Sequence, residues 1–161
     1  MRILGPVSED RVVAAYEHAA RESSRTHHGW RTTPLFDGLP ASIDWFSAAL
    51  AREQVLSILY IDWEQWLALS GGTRRPVDAA ARTHGRAAGS AVASHEHLAA
   101  RLWSDDPPPE LIVVTDPPRS RLVLLDGHVR ITAYALFPAY LPEELEIFLG
   151  EAHDMARWSE W

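Results

Sequence analysis

Apolar positions change their spacing several times along the chain, and the changes predict the order of elements. Ser8-Glu-Asp precedes Val12, Val13 and Tyr16, an N-cap with an acidic first turn, so a helix is expected from there to about Glu22. Ser23 to Pro40, rich in Ser, Thr, Gly and Pro, reads as a connection long enough to be a lid or another functional loop. From Ala41 to Leu69 the apolar residues fit helical and extended spacing alike, and helices are expected near Ser42–Leu50, Arg52–Leu59 and Trp63–Leu69. Ser70-Gly-Gly-Thr-Arg-Arg-Pro breaks that pattern. Pro76 suits the first position of a helix to Ala88, which Gly89 would end. Another helix is expected from Ser94 through Trp103, stopped by the acidic and proline-rich run that follows.

The last third reads as strands. Leu111–Thr115, Arg121–Leu125 and Leu145–Leu149 are short apolar runs bounded by turn residues, and Ala152–Trp158 reads as a closing short helix. Between them lies Asp126-Gly-His-Val-Arg-Ile-Thr-Ala. Asp-Gly is a strong hairpin signal, and His128, Arg130 and Thr132 alternate with Val129, Ile131 and Ala133 as in a half-buried strand. Yet Val129, Ala133, Leu136, Phe137 and Tyr140 also mark one face of a helix, and a helix opening at His128 would present bare amides to an anion. Periodicity leaves both readings open.

Composition narrows the chemistry. At 161 residues and 47% hydrophobic, the chain is expected to form a single domain with its own core. It has no cysteine, which excludes disulfides, thiolate metal sites and cysteine nucleophiles. All 15 basic residues are arginine, so any phosphate or carboxylate must be met by guanidinium groups, backbone amides or a metal. A net charge of −7 argues against DNA as a partner. No apolar run approaches the roughly 20 residues of a membrane span, and a cytoplasmic location is the expectation.

The segment Arg-Leu-Val-Leu-Leu-Asp-Gly-His-Val-Arg-Ile-Thr-Ala-Tyr-Ala-Leu, followed by a loop and a short strand, resembles the Gly-His-x-Arg box of the ParB/sulfiredoxin-like superfamily, and most closely its free-serine kinase members. The resemblance spans about Leu111 to Leu149. It implies a compact mixed sheet in residues 105–161, a strand-turn-helix-strand core, with a mainly helical part, residues 1–104, packed on it. It also implies a phosphate-binding turn in which Gly127, His128 and Arg130 meet the phosphates of ATP, ADP or CTP, with Asp126 on magnesium or acting as a catalytic base. Sulfiredoxin chemistry needs a cysteine in the box, which is absent here, and no length remains for the DNA-reading domain of ParB proteins. The expectations are a nucleotide-phosphate-binding protein, as a small-molecule kinase or as a non-catalytic regulatory module.

A second glycine turn before a helix, Ser70-Gly71-Gly72-Thr73-Arg74, is a secondary candidate for an anion, converging with the first on one ligand. It lacks the spacing and lysine of a Walker loop. His95 and His97 are two apart, where a helical zinc pair needs four, and His27-His28 lies in the long connection, so no metal site made by protein groups alone is expected. Trp158 and Trp161 either close the core or mark a homodimer contact.

Overall fold

In the computed structural model, which describes residues 1–22, 38–86 and 111–161, the longest apolar runs lie side by side in one sheet. Strands β1 (Arg2–Pro6), β2 (Asp44–Ala51), β3 (Leu111–Thr115), β4 (Leu122–Asp126) and β5 (Glu144–Glu151) take the order β1-β2-β5-β3-β4. The β3–β5 pair is parallel and the other three are antiparallel. Helices α1 (Glu9–Glu22), α2 (Arg52–Ser57), α3 (Glu64–Ser70), α4 (Pro76–Arg86) and α5 (His128–Leu136) complete the described elements with two 3-10 turns, Pro138–Tyr140 and Met155–Arg157. The result is the small mixed α/β fold that the sequence predicts.

Alternation along the strands divides the core into two layers. Leu111 and Val113 of β3, Leu124 of β4 and Leu145, Ile147 and Leu149 of β5 face Val55, Ile58, Tyr60, Ala79, Ile131 and Tyr134. Ile112 and Val114, Val123 and Leu125, and Phe148 point the other way, toward Val12, Leu39, Ile43, Ile61, Met155 and Trp158. Both faces are therefore covered, as near-continuous apolar strands require. Trp158, 2% exposed, and the half-buried Trp161 pack on the second layer, so this terminal pair closes the core. Past α2, Leu59 lies along the outer edge of β4: its amide donates to the Leu122 carbonyl at 2.9 Å, and its carbonyl accepts from Leu124 at 2.8 Å. That contact covers an edge that would otherwise be open to a foreign strand.

The structure corrects several expectations. Ser42–Leu50 is not a helix but most of β2, which pairs with neighbours on both edges and is buried on both faces, so its residues show no alternation to read. The sheet is not confined to the C-terminal half, since β1 and β2 come from the first 51 residues. Arg2–Pro6 escapes the sequence reading because a five-residue edge strand with Gly5, Pro6 and a bulge after Ile3 lacks a strand signature. The closing helix shortens to one 3-10 turn. In α5 the expected apolar face holds at Ala133 and Leu136, which are buried, but not at Val129, which is 51% exposed; Ile131 and Tyr134 are buried instead. The connection at 23–37, the end of the Pro76 helix beyond Arg86 and the helix expected at Ser94 lie outside the described residues. No helix among the described residues is long and apolar enough to cross a membrane.

Gly150 tests the packing of β2 on β5. A Cβ there would lie 2.7 Å from the Trp45 ring and 2.8 Å from Ile43 Cγ2, both in the second core layer. Gly150→Ala is expected to lower stability by about 1–3 kcal/mol through overpacking, read as a lower midpoint of urea unfolding at unchanged slope.

Candidate functional site

At the end of β4 the chain turns from strand to helix within one residue. Gly127 has φ +104° and ψ 19°, in the left-handed region, and α5 begins at His128 with the Ile131 amide on the Gly127 carbonyl at 2.9 Å. The helical reading of Asp-Gly-His-Val-Arg is the correct one. Opposite the turn, Asp126 pairs with Ile112 while Leu124 pairs with Val113, so Leu125 is an extra residue in β4. This bulge bends the strand and re-aims Asp126. A Cβ on Gly127 would overlap Leu111 Cδ2 and lie 3.3 Å from the Arg130 guanidinium, so only glycine fits.

Arg130 folds back from the first turn of α5 over Gly127 and forms a buried ion pair with Asp126, their side chains 11% and 4% exposed. As the N-cap, Gly127 brings no side chain of its own to the first amides of the helix. Amides at a helix start carry partial positive charge, roughly half an elementary charge in sum, and the guanidinium adds a full one beside them. Asp126 balances that charge locally, in the way a phosphate oxygen would. The box reaches solvent at Val129. The four residues expected to act together, Asp126, Gly127, His128 and Arg130, thus form one turn.

Behind the turn is a network that sequence reasoning missed. Thr132 Oγ1 donates to the His128 carbonyl at 2.6 Å, which leaves its lone pairs for the Tyr60 hydroxyl, also at 2.6 Å. Tyr60 is therefore the donor. The rings of Tyr60, Trp66 and His128 stack, with centroids 5.0 Å apart for Tyr60–Trp66 and 4.8 Å for Trp66–His128. His128 and Thr132 lie more than 60 positions from Tyr60 and Trp66, and no local signal relates the two groups. Burial pushes the Tyr60 phenol up to about 12.

The second glycine turn has another use. Gly71 ends α3 in the left-handed conformation, and the Gly72 amide closes on the Leu67 carbonyl at 2.8 Å. Ser70 Oγ accepts from the Arg74 amide at 2.9 Å and Thr73 Oγ1 from the Arg75 amide at 3.2 Å. The Arg74 guanidinium donates to the carbonyls of Tyr60, Trp161 and Glu160, each at 2.8 Å, with Asp62 at 3.9 Å. Burial lowers the pKa of this guanidinium, with Asp62 opposing. The hydroxyls and the arginine of Ser70–Arg74 are thus committed within the protein, with the amides of Gly71, Gly72 and Arg74, and the turn supports the first site indirectly, through Tyr60. Among the described residues no three His, Asp or Glu side chains converge where a cation could sit.

Two measurements test this geometry. Gly127→Ala forces a Cβ into Leu111 at a left-handed φ and is expected to cost several kcal/mol, seen as a large fall in the thermal midpoint. A folded-state pKa above the unfolded value of about 10 means that Tyr60 supports folding fully below pH 10 and less as pH rises toward 12. The stability of wild type toward urea should therefore fall over that window by roughly 2 kcal/mol more than that of Tyr60→Phe.

No protein-family model, curated protein or solved structure matches the chain.

Proposed function

We propose that the protein binds the phosphate group of a nucleotide, ATP, ADP or CTP with magnesium, at the Asp126–Arg130 turn, and that it does so as a regulatory module without turnover. The observation that carries the reading is the left-handed glycine corner with Arg130 folded over it, set at the start of a helix. Gly127 lets the backbone come close, the amides of the first helical turn supply donors, and Arg130 supplies the positive charge. The resemblance to the Gly-His-x-Arg box of ParB/sulfiredoxin-like proteins supports the same assignment.

Turnover would need Asp126 as a base or on magnesium. Its carboxylate is instead 4% exposed and held by Arg130, which favours binding over phosphoryl transfer. A bound phosphate would share Arg130 with Asp126, so that ligand binding and the geometry of the turn are coupled. This coupling gives a regulatory protein a local change to report.

Val129 offers a test that leaves the core alone. At 51% exposure near the helix start it accepts a glutamate, which complements the helix dipole and repels a phosphate. Calorimetric titration of ATP, ADP and CTP with magnesium should show saturable binding to wild type, weakened about tenfold or more by Val129→Glu at an unchanged thermal midpoint. Equal affinity for both proteins would remove the turn from the binding site. Consumption of ATP with any acceptor in a broad panel would restore the kinase reading.

A further inference from the structure

At the other end of β4, roughly 13 Å from Asp126 at the usual strand rise, the surface opens into a groove of about 390 Å³. Its walls come from three places: Arg119, Ser120, Arg121 and Leu122 of the β3–β4 turn, Gln54 and Ser57 of α2 with the following Leu59, and Met1. The volume is within the range of small-molecule sites, and the lining divides into an apolar floor and a polar rim. Leu59 and Leu122 are fixed to each other by the backbone hydrogen bond that covers the β4 edge, so the floor is built into the sheet.

The charges at the rim are not alike. Arg119 donates to Glu151 Oε2 at 2.8 Å and is neutralised there. The Met1 amine donates to Gln54 Oε1 at 2.6 Å, an uncharged partner. Arg121 has its guanidinium over the Trp161 ring, 5.4 Å from the centroid, and among the described residues no carboxylate pairs with it. The indole holds the guanidinium in place from one side while leaving its N–H donors for another group. Ser120 is turned away from this role, its amide at 2.9 Å and hydroxyl at 2.7 Å from the Asp116 carboxylate. In a chain of net charge −7, an oriented arginine with an unmatched charge beside an apolar floor is a local exception.

We propose that this groove is a second ligand site, for a small organic anion whose carboxylate or phosphate head meets Arg121 and whose short apolar body lies on Leu59 and Leu122. Nothing in it overlaps the turn at 126–130, and it stands whether or not that turn binds nucleotide. Trp161 acts here as a positioning residue, fixing Arg121 without touching the ligand.

Amide and arginine-side-chain NMR of the full chain tests the site with three probes: hexanoate, its neutral analogue hexanamide, and inorganic phosphate. The expected result is saturable hexanoate shifts at Ser57, Leu59, Arg121 and Leu122, with hexanamide and phosphate each weaker. Arg121→Gln, at an exposed position, should keep the fold and weaken hexanoate about tenfold or more. Val129→Glu should leave hexanoate binding unchanged, which separates this site from the other. Hexanamide binding as well as hexanoate, an unaffected Arg121→Gln, or shifts confined to 126–130 would each overturn the proposal.

Discussion

One corner governs how this chain is arranged. β4 must give way to α5 within a single residue, because the helix has to fall back on the sheet face that Leu111 and Leu124 present. Three local features meet that demand together: a bulge at Leu125, a left-handed Gly127, and an arginine one helical turn after Asp126 that closes over the glycine. A buried ion pair of this kind adds little net stability over an apolar replacement, whereas removing one partner typically costs about 3–5 kcal/mol. Its effect is therefore to specify. Any shift in the start of α5 would separate Arg130 from Asp126 and break this buried pair.

From that corner the order spreads by contact. α5 is buried nearly all round because it lies between the sheet and the helices α2 and α4, with Val129 at the surface. Its buried Thr132 hydroxyl reaches Tyr60, and Tyr60 reaches Trp66, so the loop after α2 and the helix α3 are registered against the start of α5. Arg74 then fastens the Tyr60 carbonyl to those of Glu160 and Trp161. The turn at 126–130 is thereby held by residues drawn from both halves of the chain. A site whose parts must stay within a fraction of an ångström gains from such support.

How much of this could be read in advance follows from how local each signal is. α1 announces itself by its Ser8 cap and acidic first turn, α4 by Pro76, and β3, β4 and β5 by short apolar runs between breakers, whereas α2 and α3 lie in a stretch whose spacing fits helix and strand alike. β2 is illegible for a physical reason: a strand buried on both faces loses its period of two, and Ala48, Ala49 and Ala51 lend it helical propensity that tertiary pairing overrides. At the corner, Asp126-Gly127 is equally good chemistry for a hairpin and for a helix start. The choice depends on Leu111 and on what α5 can pack against, neither of which is local. The partners Tyr60 and Trp66, and the pairing of Arg121 with Trp161, are contacts of distant segments and leave no trace in spacing.

The two glycine turns show why a motif of bare glycines and an arginine does not by itself make an anion site. Gly71 and Gly72 follow a helix, where the unsatisfied groups are carbonyls, and their own amides close back on Leu67. Carbonyls repel anions and attract guanidinium groups. Arg74 accordingly turns to three of them, at the C-terminal residues and at Tyr60, and is fixed there as structure. Gly127 precedes a helix, where the unsatisfied groups are amides, and its arginine needs a carboxylate or phosphate beside it. Asp126 supplies one such oxygen from within, with the helix amides set alongside, so the polarity of the helix end gives the two turns different chemistry.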